Sequence, residues 1–484
     1  FKRIRRGESE AGEDAGADES EPPERRAGTP GRVRAAPGVA PQSSPAEGPP
    51  ASAPAPNPQA VRPQEATLNE DSVSVPTAPV EAGAWWAYYT GEIRLASGDF
   101  FGVPDVRFNW AYAHRRPMPE EIRLVVSLHD LKDGESALSP FAPSELGDLE
   151  VRVQDAGVLD ERWREGWFPG GGRPVDASGR IVATLEFLQK RYALDLEARG
   201  IVIAGEGMGG TGAFVQALTL SDSWRNKIAY VSARGGTGSP RAEANRLGTL
   251  YPQLPKDTKA NSSLWDSMDF SVRLPVDPLA RGVHYRHMFS TDDATISGSG
   301  GASALAWVNL LEDHAIGGAA SWLKGGDALY ERGVRLPDLS RFETPEQDVS
   351  LQWAHPAFTR SSGNYPQSAK DRVDVKRFPR GHYNMGLTWD YRGIVDTPHE
   401  LVFPIRYQRR TGLGKDIPDQ PERITVNITP RRVRSFVLEE GSVYQWSWDG
   451  GKRSGTAVAK DDTLTVGAVP LVSGDGYKRL KIYR

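Results

Sequence analysis

The chain has 484 residues, with 59 Lys and Arg against 63 Asp and Glu and a formal net charge of −4. That length allows two or three domains, and that charge gives no electrostatic case for nucleic acid or an anionic membrane surface. Cysteine is absent, which removes disulfides, thiolate metal sites and a cysteine nucleophile but leaves the compartment open.

No apolar run approaches the roughly 18 residues that span a membrane. The opening "FKRIRR" reads either as the basic flank of a removed signal or anchor or, more plainly, as a solvated charge cluster. Residues 1–84 hold 14 of the 37 prolines, and after Phe1 no aromatic appears before Trp85. Such a Pro/Ala/Ser tract buries too little apolar surface to offset chain entropy and is expected to be a disordered tether.

From Trp85 the texture changes. "WWAYYTGEIRL" and "DVRFNWAYAH" are aromatic and β-branched runs around a Gly/Asp/Pro turn, an antiparallel lead-in pair. "EEIRLVVSLHD" (Glu120 to Asp130) is a short buried strand, and the apolar spacing at 182, 185, 188 and 192 predicts a helix over 179–194. A strand at 201–204, a glycine turn and a helix at 212–220 follow. "KIAYVSARGG" and "GVHYRHMFST" are further strands, and "ASALAWVNLLEDH" is a helix. Alternation of this kind argues for a mostly parallel sheet covered on both faces, with sites at the carboxyl ends of its strands. The loops at 129–134, 205–210, 290–297 and 380–386 are placed there.

The chemistry turns on "IVIAGEGMGGTGAFVQAL". A nucleophile at a sharp strand-to-helix turn needs small residues two before and two after it, with the next amide and the helix N-terminus facing an oxyanion. Gly205 and Gly209 meet the steric need, but the nucleophile position holds Gly207. A dinucleotide turn, G-x-G-x-x-G, is the rival reading. Its context is poor, because no acidic residue ends the next strand where a ribose partner belongs. Asp293, in "MFSTDDATIS", and His382, in "FPRGHYNMG", stand in the order acid then base that a triad requires. Each alone is more simply a surface or satisfied residue. "HYRH" (His284 to His287) has an i, i+3 pair of imidazoles that a strand would turn to opposite sides, which argues against a metal site.

These motifs resemble the α/β-hydrolase superfamily, in particular bacterial esterases of the feruloyl-esterase and polyhydroxyalkanoate-depolymerase type. "GEGMGGTGA" matches the family's G-x-S-M-G-G-x-G-A except at the serine, and "STDDATIS" resembles its acid loop, which favours Asp293 over Asp292. "PEEIRLVVSLHD" resembles the strand before the oxyanion loop, with His129 kept and Asp130 replacing a glycine. The resemblance covers about residues 107–390. It implies an α/β-hydrolase-type, mostly parallel sheet, with Gly207, Asp293 and His382 at the catalytic positions and Met208, His129, Asp130 and Glu206 around the oxyanion and substrate. It calls for no cofactor and no metal.

Two departures fall at the chemistry. Gly207 has no side chain to form an acyl-enzyme, and Asp130 puts a carboxylate where negative charge would develop. Thr211 and Ser232 are nearby hydroxyls, but a side chain one helical turn past the elbow points away. The tail alternates strand-like runs ("RITVNIT", "SFVLEE", "SVYQWSW", "TLTVGAV", "KRLKIYR") with Gly/Asp turns, a small antiparallel β-sandwich. Trp446 and Trp448 share one face there, as a core pair or, less simply, as a sugar-stacking pair. The expected division is a tether at 1–84, a hydrolase-like domain at 85–395 and a β-rich domain at 396–484.

Three functions fit: a pseudo-hydrolase that binds an ester-bearing polysaccharide or polymer or an envelope protein, an active carboxylic-ester hydrolase with an atypical nucleophile, and an envelope scaffold. The resemblance implies a secreted, periplasmic or cell-envelope location, and the charge and apolar pattern lead us to expect no nucleic acid partner and no transmembrane segment in this chain.

Overall fold

A computed structural model describes residues 73–74, 79, 81–82, 86–95, 106–119, 121–129, 138–144, 147–154, 177–243, 257–259, 262–290, 302–323, 349–372, 374, 376–377, 380–409 and 420–484. The tether reading therefore lies largely outside the described residues. Its last part does not: Val73–Ser74 (β1) and Glu81–Ala82 (β2) both pair with the strand Trp86–Leu95 (β3). They give partners to backbone groups that an edge strand would otherwise leave open.

The strands continue with Val106–Arg115 (β4), Leu124–Leu128 (β5), Leu149–Val153 (β6), Ile201–Glu206 (β7), Ile228–Arg234 (β8), His284–Ser290 (β9), Gly318–Leu323 (β10), His355–Thr359 (β11) and Arg380–Tyr383 (β12). One large sheet runs in the order β1-β3-β4-β6-β5-β7-β8-β9-β10-β12. From β6 to β10 every neighbour is parallel, while β3 and β4 form the antiparallel lead-in and β12 closes the other edge antiparallel. The exchange of β5 and β6 between β4 and β7 is the strand order of the α/β-hydrolase fold. Two strands of this sheet, β6 ("LEVRV") and β10 ("GAASWL"), are not announced by the sequence, because neither is a long β-branched run.

Alternate residues go to opposite faces of the sheet. Leu124, Val126, Ile201, Ile203 and Val231 pack with the helices Ala177–Tyr192 (α1) and Met208–Thr219 (α2) and with the helix Ala302–Asp313. Val125, Val202, Ala229 and Tyr230 face the other way, into a second core. That core belongs to a β-sandwich. Its strands are β11, Leu387–Trp389 (β13), Val395–Asp396 (β14), Glu400–Tyr407 (β15), Arg423–Arg431 (β16), Val443–Trp448 (β17), Arg453–Val458 (β18), Val466–Val472 (β19) and Lys478–Tyr483 (β20).

They form two antiparallel sheets, β11-β16-β19 and β13-β15-β20-β17-β18 with β14 beside β15. The parallel sheet is thus covered by helices on one face and by the sandwich on the other. Three sandwich strands, β11, β13 and β14, come from before residue 397. Trp448 is buried and Trp446 half-buried against the same core, so the pair packs inward. "SFVLEE" is no strand: the amides of Arg434, Ser435 and Phe436 donate to the Asp396 carboxylate at 2.7, 3.1 and 2.8 Å. A side chain there does the work of a ladder.

Candidate functional site

At the carboxyl end of β7 the chain turns within one residue into α2. Gly207 sits there with φ 55° and ψ −117°, a region where an ordinary side chain is strained. Its amide donates to the Arg234 carbonyl at 2.7 Å, and its own carbonyl accepts the Thr211 amide at 3.3 Å. The helix starts at Met208 rather than 212, so Gly209, Gly210 and Gly212 are helical residues. At Gly209 and Gly210 smallness is a matter of close approach. A Cβ on Gly205 would overlap the Gly209 carbonyl oxygen, and one on Gly209 would overlap the Leu128 carbonyl oxygen and lie 2.8 Å from that of His129. Backbone therefore meets backbone on both sides of the turn.

Met208 is buried in the first turn of α2, at the positive end of the helix dipole. His129 follows β5 directly and is half-buried, with its carbonyl against the turn. Glu206 is exposed, with Arg234 at 3.9 Å and both side chains about half exposed, so that pair contributes little. Thr211 is buried and its hydroxyl accepts the Thr237 amide at 2.9 Å. That hydroxyl is engaged in structure. Asp130 and Asp293 lie outside the described residues.

His382 is not in a loop. It lies in β12, buried, with its amide donating to Tyr365 at 2.7 Å and its carbonyl accepting the Tyr365 amide at 3.0 Å. Across the sheet Glu206, Arg234, Met288, Ser321 and His382 are consecutive register partners. Four strand spacings of about 4.8 Å put His382 roughly 19 Å from the line of β7, several times the reach of an imidazole. The structure brings Gly207, Met208, Glu206 and His129 together and leaves His382 at the far edge. Gly381, in the expected loop at 380–386, is small because a Cβ there would overlap the Trp322 ring and the Tyr365 carbonyl.

One residue under the turn was missed. His287 is fully buried on the helix side against Phe214 and Trp307, and its Nε2–H donates to the Gly235 carbonyl at 3.1 Å. A Cβ on Gly210 would come within 2.5 Å of that same carbonyl oxygen, so His287 props the loop on which α2 starts. Burial pushes its imidazole down to about 4, which keeps it neutral near pH 7. His284 faces the other side, against Tyr230, His355 and Trp389. The strand alternation in "HYRH" was the available signal.

No protein-family model matches the chain, and no curated protein matches it. Among solved structures it is similar to an S-formylglutathione hydrolase from Agrobacterium tumefaciens, at 15% identity and a TM-score of 0.37, covering 51% of this chain and 90% of that one. It is also similar to a ferulic acid esterase, at 14% identity and a TM-score of 0.34, covering 50% of this chain and 96% of that one. Brefeldin A esterase, a bacterial homologue of human hormone sensitive lipase, aligns at 17% identity and a TM-score of 0.29 over 52% of this chain and 72% of its own. The strand order carries the assignment: this is a protein of the α/β-hydrolase fold with an antiparallel β-sandwich after it.

Proposed function

We propose that the chain is an esterase-like protein of this fold that binds an ester-bearing polymer or an envelope protein without covalent hydrolysis. The observation that carries this is Gly207, held at φ 55° and ψ −117° between strand and helix. We read the turn as a nucleophile elbow without its nucleophile. No acyl-enzyme can form on a glycine, and the turn still offers backbone amides at a helix N-terminus to a carbonyl or carboxylate oxygen. In this reading Met208 and His129 line the oxyanion side, Glu206 the rim, Asp293 is the remaining acid, and Asp130 opposes developing negative charge.

A serine-directed fluorophosphonate probe tests it. The unmodified chain should stay unlabelled, and stoichiometric labelling would reveal another nucleophile and overturn the proposal. Gly207→Ser supplies a hydroxyl at a strain cost of about 1–3 kcal/mol. With His382 out of reach it should label on the order of 10⁴-fold more slowly than an intact triad. His382→Ala added to it should change nothing; loss of a fast reaction on that addition would put His382 in the site.

We further place the protein outside the cytoplasm or in the envelope, on the strength of the Pro/Ala-rich segment and the esterase likeness. No helix among the described residues is long and apolar enough to cross a membrane. Cell fractionation that recovers the protein only in cytosol would overturn this placement.

A further inference from the structure

A cluster of arginines lies at the other end of the sheet. A cavity of about 430 Å³ opens between the amino ends of β8 and β9 and the sandwich, lined among others by Arg225, Arg281, Arg431, Arg432 and Arg434. Arg225 is neutralised there by Asp222 at 3.1 Å and by the buried carboxylate of Asp277. The others are not matched in this way. Arg431 donates to the carbonyls of Ala315 at 2.7 Å and His314 at 2.6 Å, just past the end of the helix Ala302–Asp313. Arg432 donates to the Ile228 carbonyl at the start of β8.

Carbonyl partners fix a guanidinium in place and leave its charge standing. Among the described residues no carboxylate pairs with Arg281, Arg431 or Arg432. The Nε of Arg281 and the Nη1 of Arg432 are buried without a hydrogen-bond partner. Burial, then the neighbouring Arg281, pulls the Arg431 guanidinium down to about 10. Burial likewise pulls Arg432 down to about 10, with Tyr285 opposing and Arg434 adding to the effect. Both Arg431 and Arg432 are still cationic at pH 7. The acidic residues of the lining, Glu197, Asp461 and Asp462, are exposed, so water screens them.

Like charges gathered at a sheltered cavity are unfavourable unless something answers them. Guanidinium forks answer best to oxyanions, through paired N–H···O bonds. A tetrahedral dianion can take donors from several directions, which suits guanidiniums arriving from the short helix Pro278–Gly282 and from the end of β16. A planar monoanionic carboxylate would answer only part of the charge. We propose that this cavity is a binding site for a phosphate-type oxyanion, either inorganic phosphate or the phosphoryl group of a phosphomonoester. Its volume falls in the range of small-molecule pockets, so an attached organic group fits beside the anion. The site is independent of the turn at Gly207, which lies at the carboxyl end of β7, at the opposite end of the same sheet.

The test uses the full chain in chloride buffer at fixed ionic strength, with thermal unfolding and titration calorimetry as readouts. Inorganic phosphate should bind with one site per chain and raise the Tm, and sodium chloride of equal ionic strength should not. Glucose 6-phosphate is the second arm: tighter binding than inorganic phosphate assigns an organic phosphate, and equal binding assigns the free anion. Arg281→Gln should weaken phosphate at least tenfold, and Arg434→Gln should do so more mildly. In phosphate-free buffer Arg281→Gln should raise the Tm, because it relieves repulsion, and saturating phosphate should reverse that order. The proposal is overturned if phosphate stabilises no more than chloride, if acetate binds as well as phosphate, or if Arg281→Gln leaves affinity unchanged.

Discussion

Gly209→Ala will cost the fold more than about 4 kcal/mol, in the class of substitutions that force backbone apart. The new Cβ overlaps the Leu128 carbonyl oxygen and lies 2.8 Å from that of His129, and neither can swing away as a side chain could. Leu128 ends β5 and His129 follows it, and β5 pairs in parallel with β7 through Leu128 and Gly205. Relief must therefore come from separating α2 from the sheet, and α2 carries Phe214 and Ala213 at the centre of the helix-side core. Gly476→Ala is the control: a Cβ there meets nothing within 4 Å, and its effect should stay within about 0.5 kcal/mol. Urea unfolding followed by tryptophan fluorescence reads both. Equal midpoints for Gly209→Ala and the parent would mean that the turn is looser than its backbone contacts require.

Stability will fall steeply on mild acidification, because three imidazoles are folded in neutral form. Burial holds His287 down to about 4 and His284 down to about 3, the latter helped by Arg432 and Arg286. Burial, then His284 and the arginines Arg432 and Arg431, keeps His355 well below the usual histidine range. Nδ1 of all three and Nε2 of His355 have no hydrogen-bond partner, and at His287 burial outweighs the backbone carbonyls that favour the charged form. Once unfolded, each titrates near 6.5. Below that pH the unfolded chain binds protons that the folded chain does not, so stability drops as pH falls from 6.5 toward about 4 for His287 and about 3 for His284.

At ~1.4 kcal/mol per pH unit, pH 5 removes roughly 2 kcal/mol for each histidine, out of the ~5–15 kcal/mol typical of a domain. Urea midpoints at pH 7, 6 and 5 measure it. His284→Phe with His355→Phe should flatten most of that slope, since both rings already pack against Trp389. A single His287→Gln should flatten it by about a third. An unchanged slope in both variants would mean that other groups drive the acid response.

The two buried histidines His284 and His355 lie where the parallel sheet meets the sandwich, and their acid response is a property of that junction. Neither was legible as such. "HYRH" shows its alternation in the sequence, and the alternation is what turns His284 and His287 to opposite faces. What covers each face is a matter of pairing between distant segments. β11, with His355, pairs with β16 some seventy residues later, and no local pattern announces such a partner.

The sequence by itself determined whatever depends on neighbours along the chain. The lead-in pair β3 and β4, the strand β7, the glycine turn and α2 follow from apolar spacing and from glycines placed two before and two after position 207. The missing hydroxyl at Gly207 was equally plain, since it is an identity and needs no fold. Tertiary structure alone decided which distant groups meet. His382 stands in the right order after Asp293, but Gly381 is there to pass under Trp322, and β12 is an edge strand of the sheet. A flanking glycine looks the same in sequence whether it frees a loop or admits a ring. The cluster of Arg281, Arg431 and Arg432 was invisible for the same reason: residues about 150 positions apart share one cavity only because the sandwich closes over the amino ends of the parallel strands.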